Sequence, residues 1–180
     1  MGLDHGIALE AMLEHMSDPL FPIVDYGITL TEIPDYIALF LEFGNCTARC
    51  PGCHSENLWL PVDNPMSMQE VVTIATKYRE LGCNAIVLMG GTTNSTEKSD
   101  LRELLSHLKG IFGNCVGLFS GQDTISDHAG FMRHLRWLKV GHYDETKGGL
   151  NSPLTNQRFY EIINDRAIDK TYLFRRDASV

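Results

Sequence analysis

Three closely spaced cysteines are the residues of this chain that most directly suggest chemistry. Cys46, Cys50 and Cys53 have C-x3-C-x2-C spacing and follow the apolar run 37–43. Thiolates are soft ligands that suit iron–sulfur clusters and zinc, and closely spaced cysteines hold 4Fe–4S clusters in ferredoxins. A 4Fe–4S cluster takes four thiolates, whereas this loop supplies only three. The spacing therefore predicts a cluster with one iron open to a ligand from outside the protein.

Two other interpretations of these cysteines stay open. Zinc usually takes paired C-x2-C elements and a nearby fourth ligand, and His54 would have to fold back to supply it because it adjoins Cys53. The three thiols would otherwise be reduced core residues. We expect the remaining two cysteines, Cys83 and Cys115, to be buried core thiols, since each precedes apolar strand positions.

An alternation of strands and helices must position the cysteine loop. Apolar runs predict strands, and one predicted helix begins with a capping box in which Ser67 and Glu70 are the partners. The predicted strands are 37–43, 85–89, 115–119 and 137–140, and the predicted helices are 67–81, 99–110 and 126–136. This pattern predicts an α/β fold with a mostly parallel sheet or partial (βα) barrel in a single domain.

Polar or glycine-rich loops follow each of the four predicted strands. They are the cysteine loop, Gly90-Gly91, Ser120-Gly121 and the segment 141–143. In parallel sheets, the ligand-binding loops lie at the carboxyl ends of the strands. The order of elements therefore predicts that all four loops meet at one rim.

Composition and charge limit the classes of function. The 180 residues carry a net charge of −8, which argues against nucleic-acid binding because such proteins use basic patches on phosphates. The short basic clusters 133–139 and 175–176 are interpreted as solvated helix faces and a charged tail. No apolar run is long enough for a membrane helix, and no signal peptide is evident. We expect a cytoplasmic protein that binds no membrane and keeps its cysteines reduced.

The chain is predicted to divide near residue 26. An apolar pattern in 7–16 suits a short helix, which Ser17-Asp18-Pro19 would end. Residues 1–26 are therefore predicted to form a leader with a cap helix, and residues 27–180 the main domain.

The cysteine spacing resembles that of the radical S-adenosylmethionine (SAM) superfamily. This resemblance implies a partial barrel, a 4Fe–4S cluster held by the three cysteines, and SAM bound at the fourth iron. Gly90-Gly91 resembles the Gly-Gly-acidic motif of that superfamily, which holds the methionyl amino group of SAM, although Thr92 stands where an acidic residue is common. The residues that the resemblance places against SAM are Gly52, Cys53, His54, Gly90, Gly91, Thr92 and Ser120. For Ser120, a solvated turn is an equally good interpretation.

Two later segments indicate a narrower family. The segments 139–145 and 148–160, which include Ser152-Pro153 and Asn156-Gln157-Arg158, resemble the carboxyl-terminal signature of the activating proteins of anaerobic ribonucleoside-triphosphate reductases. The segments 27–35 and 53–59 are also similar to one branch of that family, and the resemblance covers roughly residues 27–174.

Membership would imply a radical SAM activase. Its cluster, held by Cys46, Cys50 and Cys53, would carry the chemistry, an external donor such as flavodoxin would reduce it, and its protein substrate would be the reductase. A homodimer stays open. The alternatives are a small-molecule radical SAM enzyme, such as a 7-carboxy-7-deazaguanine synthase with a magnesium site near Thr47, and a zinc-stabilised interaction module without catalysis.

Overall fold

Seven strands form the main sheet of the protein. The structure is a computed structural model, and it describes residues 18–175. The predicted cap helix in 7–16 and the last five residues lie outside this range, and the division of the chain near residue 26 stays a prediction. The strands are β1 (Leu20–Phe21), β2 (Ile23–Thr29), β3 (Ala38–Phe43), β4 (Met66–Ser67), β5 (Ala85–Met89), β6 (Val116–Phe119), β7 (Trp137–Val140), β8 (Arg158–Ile163) and β9 (Arg166–Asp169).

The main sheet has the order β2-β3-β5-β6-β7-β8-β9, and β1 pairs separately with β4. The four central strands, β3, β5, β6 and β7, are mutually parallel, whereas β2, β8 and β9 pair antiparallel to their neighbours. The mixed α/β fold with a parallel centre is therefore confirmed. The closure of this sheet into a partial barrel stays a prediction.

Two helices cover one face of the sheet. Helix α1 (Met68–Glu80) begins at the capping box predicted from Ser67 and Glu70, with both reciprocal hydrogen bonds present. Helix α2 (Lys98–Phe112) starts one residue earlier and ends two residues later than predicted. Their apolar side chains pack with strand residues in a core that includes Leu88, Leu104 and Cys83. Cys83 is fully buried as expected, and Cys115 is partly buried.

The opposite face of the sheet has a smaller core. It contains Ile33, Val87, Phe119, Trp137 and Phe159, with Leu150 and Phe174 packed against them. The segments that precede β3 and β8, and the segment that follows β9, therefore help to cover the face that the helices leave open.

The predicted helix in 126–136 is wrong. Two 3-10 turns, Ile125–His128 and Met132–His134, occupy this connection instead. Side chains of α2 bind two carbonyl groups of this connection: Arg102 donates to the Gly130 carbonyl at 3.3 Å, which the His134 amide would bond in a helix, and Lys109 donates to the Arg133 carbonyl at 2.6 Å. These tertiary contacts favour the irregular backbone over a helix.

Within residues 18–175, no helix combines the length and apolar character needed to cross a bilayer.

Candidate functional site

The cysteine loop starts where β3 ends and folds tightly. Asn45, Arg49 and Gly52 have positive φ angles of 57°, 43° and 69°. The Asn45 side chain accepts a hydrogen bond from the Val62 amide at 2.9 Å, and the Cys46 amide donates to the Leu58 carbonyl at 2.8 Å. These contacts attach both arms of the loop to each other. All three cysteines are free and partly exposed at the rim.

The loop after β5 packs directly on the cysteine loop. The Thr93 carbonyl accepts hydrogen bonds from the Thr47 amide at 2.7 Å and from the Thr47 hydroxyl at 2.8 Å. The Thr93 hydroxyl lies 3.5 Å from Cys46 Sγ. Thr93 therefore joins the two loops, and the Thr47 hydroxyl proton is already used.

Gly90 and Gly91 allow this approach because their φ angles are 103° and 86°. A Cβ on Gly90 would stand 3.2 Å from Phe43 Cβ, and one on Gly91 would stand 3.2 Å from Phe43 Cδ1. The glycine pair thus packs against the residue that precedes the cysteine loop, and the left-handed backbone suits glycine.

Thr92 and Ser120 form the next contact along the rim. Their hydroxyl oxygens are 2.7 Å apart, and the Gln122 amide donates to Ser120 Oγ at 3.0 Å. Ser120 is only 4% exposed. Its hydroxyl is therefore a buried part of the link between the loops after β5 and β6, which differs from the solvated turn considered above.

The loop after β7 closes over the remaining side. Tyr143 Oη lies 3.2 Å from His54 Nε2, and their ring centroids are 4.9 Å apart. A Cβ on Gly52 would stand 2.5 Å from Glu145 Oε2, so only glycine leaves room for the Glu145 side chain. Asp123 fixes the start of this loop, since its carboxylate accepts from the His142 amide at 3.0 Å and lies 2.7 Å from His142 Nδ1. These bonds lower the pKa of Asp123.

The four predicted loops therefore meet at one rim. Every predicted site residue lies on one of them, although Gly90 and Gly91 face Phe43 and His54 faces Tyr143. The sequence does not predict that Thr93 joins two loops or that Glu145 packs against Gly52, because each depends on a contact between loops far apart in sequence.

Lys139 is the clearest correction. The basic cluster 133–139 is predicted to be a solvated helix face, but Lys139 lies in the predicted strand 137–140, which is β7, and shares with Trp137 the face of the smaller core. Its side chain lines a cavity of about 400 Å³ together with Cys53, His54, Glu32, Tyr143 and Gln157. The sequence feature that indicates this buried position is a lysine within the otherwise apolar run 137–140.

The donor set fits an iron–sulfur cluster. It consists of three free thiols on one loop. The Ser55 amide donates a hydrogen bond to Cys53 Sγ at 3.4 Å, and hydrogen bonds to the sulfurs are one of the factors that set the reduction potential of a cluster. Within residues 18–175, no three His, Cys, Asp or Glu side chains converge closely enough to hold one metal ion. A cubane cluster does not require such convergence, since each thiolate binds a different iron.

No protein-family model matches the chain, and no curated protein matches it. Among solved structures, the crystal structure of QueE from Escherichia coli is similar, with a TM-score of 0.50 and 13% sequence identity over 89% of this chain and 71% of QueE. QueE is a radical SAM enzyme. At this identity the similarity concerns the fold alone.

Proposed function

We propose that the chain is a radical SAM enzyme, and more narrowly the activase of an anaerobic ribonucleoside-triphosphate reductase. The observation that carries the proposal is the rim, where three free cysteines at C-x3-C-x2-C spacing meet the Gly90-Gly91 loop through Thr93. The fold similarity to QueE supports the superfamily. The narrower assignment depends on the resemblance of segments 139–145 and 148–160 to the activating proteins.

Cys46, Cys50 and Cys53 would hold the 4Fe–4S cluster. When bound, the cluster would supply one electron that breaks a carbon–sulfur bond of SAM, which yields methionine and a 5′-deoxyadenosyl radical. That radical would take a hydrogen atom from a glycine of the reductase, so the reductase keeps the unpaired electron. An electron donor such as flavodoxin would supply the electron from outside.

The remaining rim residues would position SAM and exclude water. The cavity beside Cys53 has a volume of about 400 Å³, within the range of small-molecule sites. The His54–Tyr143 pair forms one wall, and Lys139, Glu32 and Gln157 are its charged and polar lining. Since Cys53, His54 and Tyr143 of the rim line this cavity, a protein substrate docked on the rim would contribute to its closure.

The cluster assignment is tested with two cysteine variants. After anaerobic incubation with iron and sulfide, we expect the wild-type protein to be brown, with about four irons per chain. Cys50→Ala should lose the reducible cluster signal in spin resonance and all SAM cleavage. Cys83→Ala, a matched control in the buried core, should keep both. Colourless wild-type protein that takes up one zinc instead would favour the zinc module and overturn the proposal.

The narrower assignment needs the reductase. With reduced protein, SAM and the reductase, spin resonance should detect a glycyl radical on the reductase, and omission of any one component should abolish the signal. SAM cleavage without this radical would contradict the activase assignment but not the superfamily.

A small-molecule radical SAM enzyme is the second candidate. The cavity beside Cys53 favours it, because its volume is within the range of small-molecule sites. In that case a small substrate, and not the reductase, should accelerate the cleavage of SAM.

A further inference from the structure

Lys139 has an unusual position for a lysine. In the sheet register it lies directly opposite Phe119 on one side and Phe159 on the other. Both phenylalanines are buried, and their rings pack edge to face with centroids 6.2 Å apart. The lysine therefore lies between two aromatic residues, on the face of the sheet that carries the smaller core.

The side chain of Lys139 shares a cavity with the cysteine loop. Nζ lies 5.4 Å from the centroid of the Phe119 ring, and the side chain lines the cavity that Cys53 and Glu32 also line. Burial lowers the pKa of Lys139, while the charges of Glu32, Cys50 and Cys53 oppose this shift. Each of these three groups stabilises the charged form of the lysine, since each is an anion when ionised.

Among the described ion pairs, none joins Lys139 to a carboxylate within 4.0 Å. Its charge is therefore not cancelled by direct contact with Glu32. A positive charge in a poorly solvated site acts over a longer distance than one in water, because the surrounding medium screens it less. With a bound cluster, the sulfur of Cys53 on the same cavity would carry negative charge.

We propose that Lys139 is a positioning residue whose charge, on the cavity that Cys53 also lines, raises the reduction potential of the cluster and so makes its one-electron reduction easier. This inference depends on the proposed function. Net charge near the cluster is one of the properties that set iron–sulfur potentials. Reduction adds one negative charge to the cluster, and a nearby cation stabilises the reduced form more than the oxidised form. Glu32, on the same cavity, has the opposite effect.

Potentiometric titration followed by spin resonance tests this role, using the reconstituted full-length protein. Lys139→Met should shift the reduction potential to more negative values at unchanged iron content. Glu32→Gln should shift it to more positive values, and this second variant keeps the test valid if Lys139→Met fails to fold. Lys77→Met removes the same charge from an exposed position on α1, which packs on the other face of the sheet, and should leave the potential unchanged.

The outcomes separate this inference from the proposed function. If Lys139→Met holds the wild-type amount of iron and has the wild-type potential, the role of Lys139 is overturned and the cluster assignment stands. The same holds if Glu32→Gln shifts the potential to more negative values. If the wild-type protein takes up no iron, both proposals fail.

Discussion

At Gly52 the backbone has a φ angle of +69°, and a Cβ would stand 2.5 Å from Glu145 Oε2. The same residue lies between Cys50 and Cys53, so its conformation sets how the loop turns between two of the predicted ligands. Asn45 and Arg49 adopt positive φ angles without being glycine, and such backbone strain concentrates at functional sites. The backbone conformation of this loop therefore restricts which residues can occupy it, in addition to the side-chain chemistry of the cysteines.

Gly52→Ala should therefore destabilise the protein. We expect a loss of about 1–3 kcal/mol in the free energy of unfolding, because alanine is strained at this φ angle and displaces Glu145. Urea denaturation measures the change. The control is Gly110→Ala in α2, where nothing lies within 4 Å of the new Cβ, and this change should stabilise the protein by about 0.5–1 kcal/mol. Equal effects of the two variants would contradict the steric argument.

At the scale of elements, hydrogen bonds between the loops, and bonds within single loops, stabilise the rim. The loop after β7 is stabilised by bonds of the second kind. The Asp144 carboxylate accepts from Lys147 Nζ at 2.8 Å, from the Thr146 hydroxyl at 2.6 Å and from the Thr146 amide at 3.0 Å. These contacts stabilise the segment that carries Tyr143 and Glu145 toward the cysteine loop.

The stability contributed by Asp144 should depend on pH. Lys147 and Thr146 lower the pKa of Asp144 to about 2 from its ordinary value of 3.8. A carboxyl group whose pKa is lower in the folded state stabilises the fold above its unfolded pKa, and this contribution disappears as pH falls through the folded pKa. The unfolding free energies of wild type and Asp144→Asn should therefore differ by a constant amount above about pH 4 and converge toward pH 2. A difference that does not vary between pH 5 and pH 2 would contradict this assignment.

The same scale shows which elements were predictable from sequence. The continuous apolar run 85–89 and the Ser67–Glu70 capping box each determine an element through local interactions, and both predictions are confirmed. The connection 126–136 was mispredicted because Arg102 and Lys109, which are distant in sequence, bind its carbonyl groups. The convergence of four loops followed from strand order, whereas the position of Lys139 in the cavity depends on the packing of three strands.

At the scale of the whole molecule, one face of the sheet carries most of the buried core and the other face carries the candidate site. Its helix-covered face holds the larger core, with Leu88, Leu104 and Leu108 fully buried. Its other face has the smaller core and, at the rim, the cavity beside Cys53. Stability is therefore concentrated on one side, and the candidate chemistry lies on the other side and at the ends of the strands.

This separation predicts that a core mutation lowers stability without changing cluster binding. Leu104→Ala removes a fully buried side chain from α2 and should lower the unfolding free energy by about 2–5 kcal/mol, because the lost burial is accompanied by a cavity. Leu81→Ala changes the same residue type where it is 64% exposed, so its effect should be well under that of Leu104→Ala.

Both variants should bind as much iron per folded chain as the wild type, since neither residue belongs to the rim or to the smaller core. Chemical denaturation measures the first effect, and iron analysis of the folded fraction after reconstitution measures the second. A folded Leu104→Ala protein with reduced iron content would show that the two faces of the sheet are coupled. The cysteine loop would then depend on the helix-side core through β3, whose Leu41 and Phe43 belong to that core and whose end begins the loop.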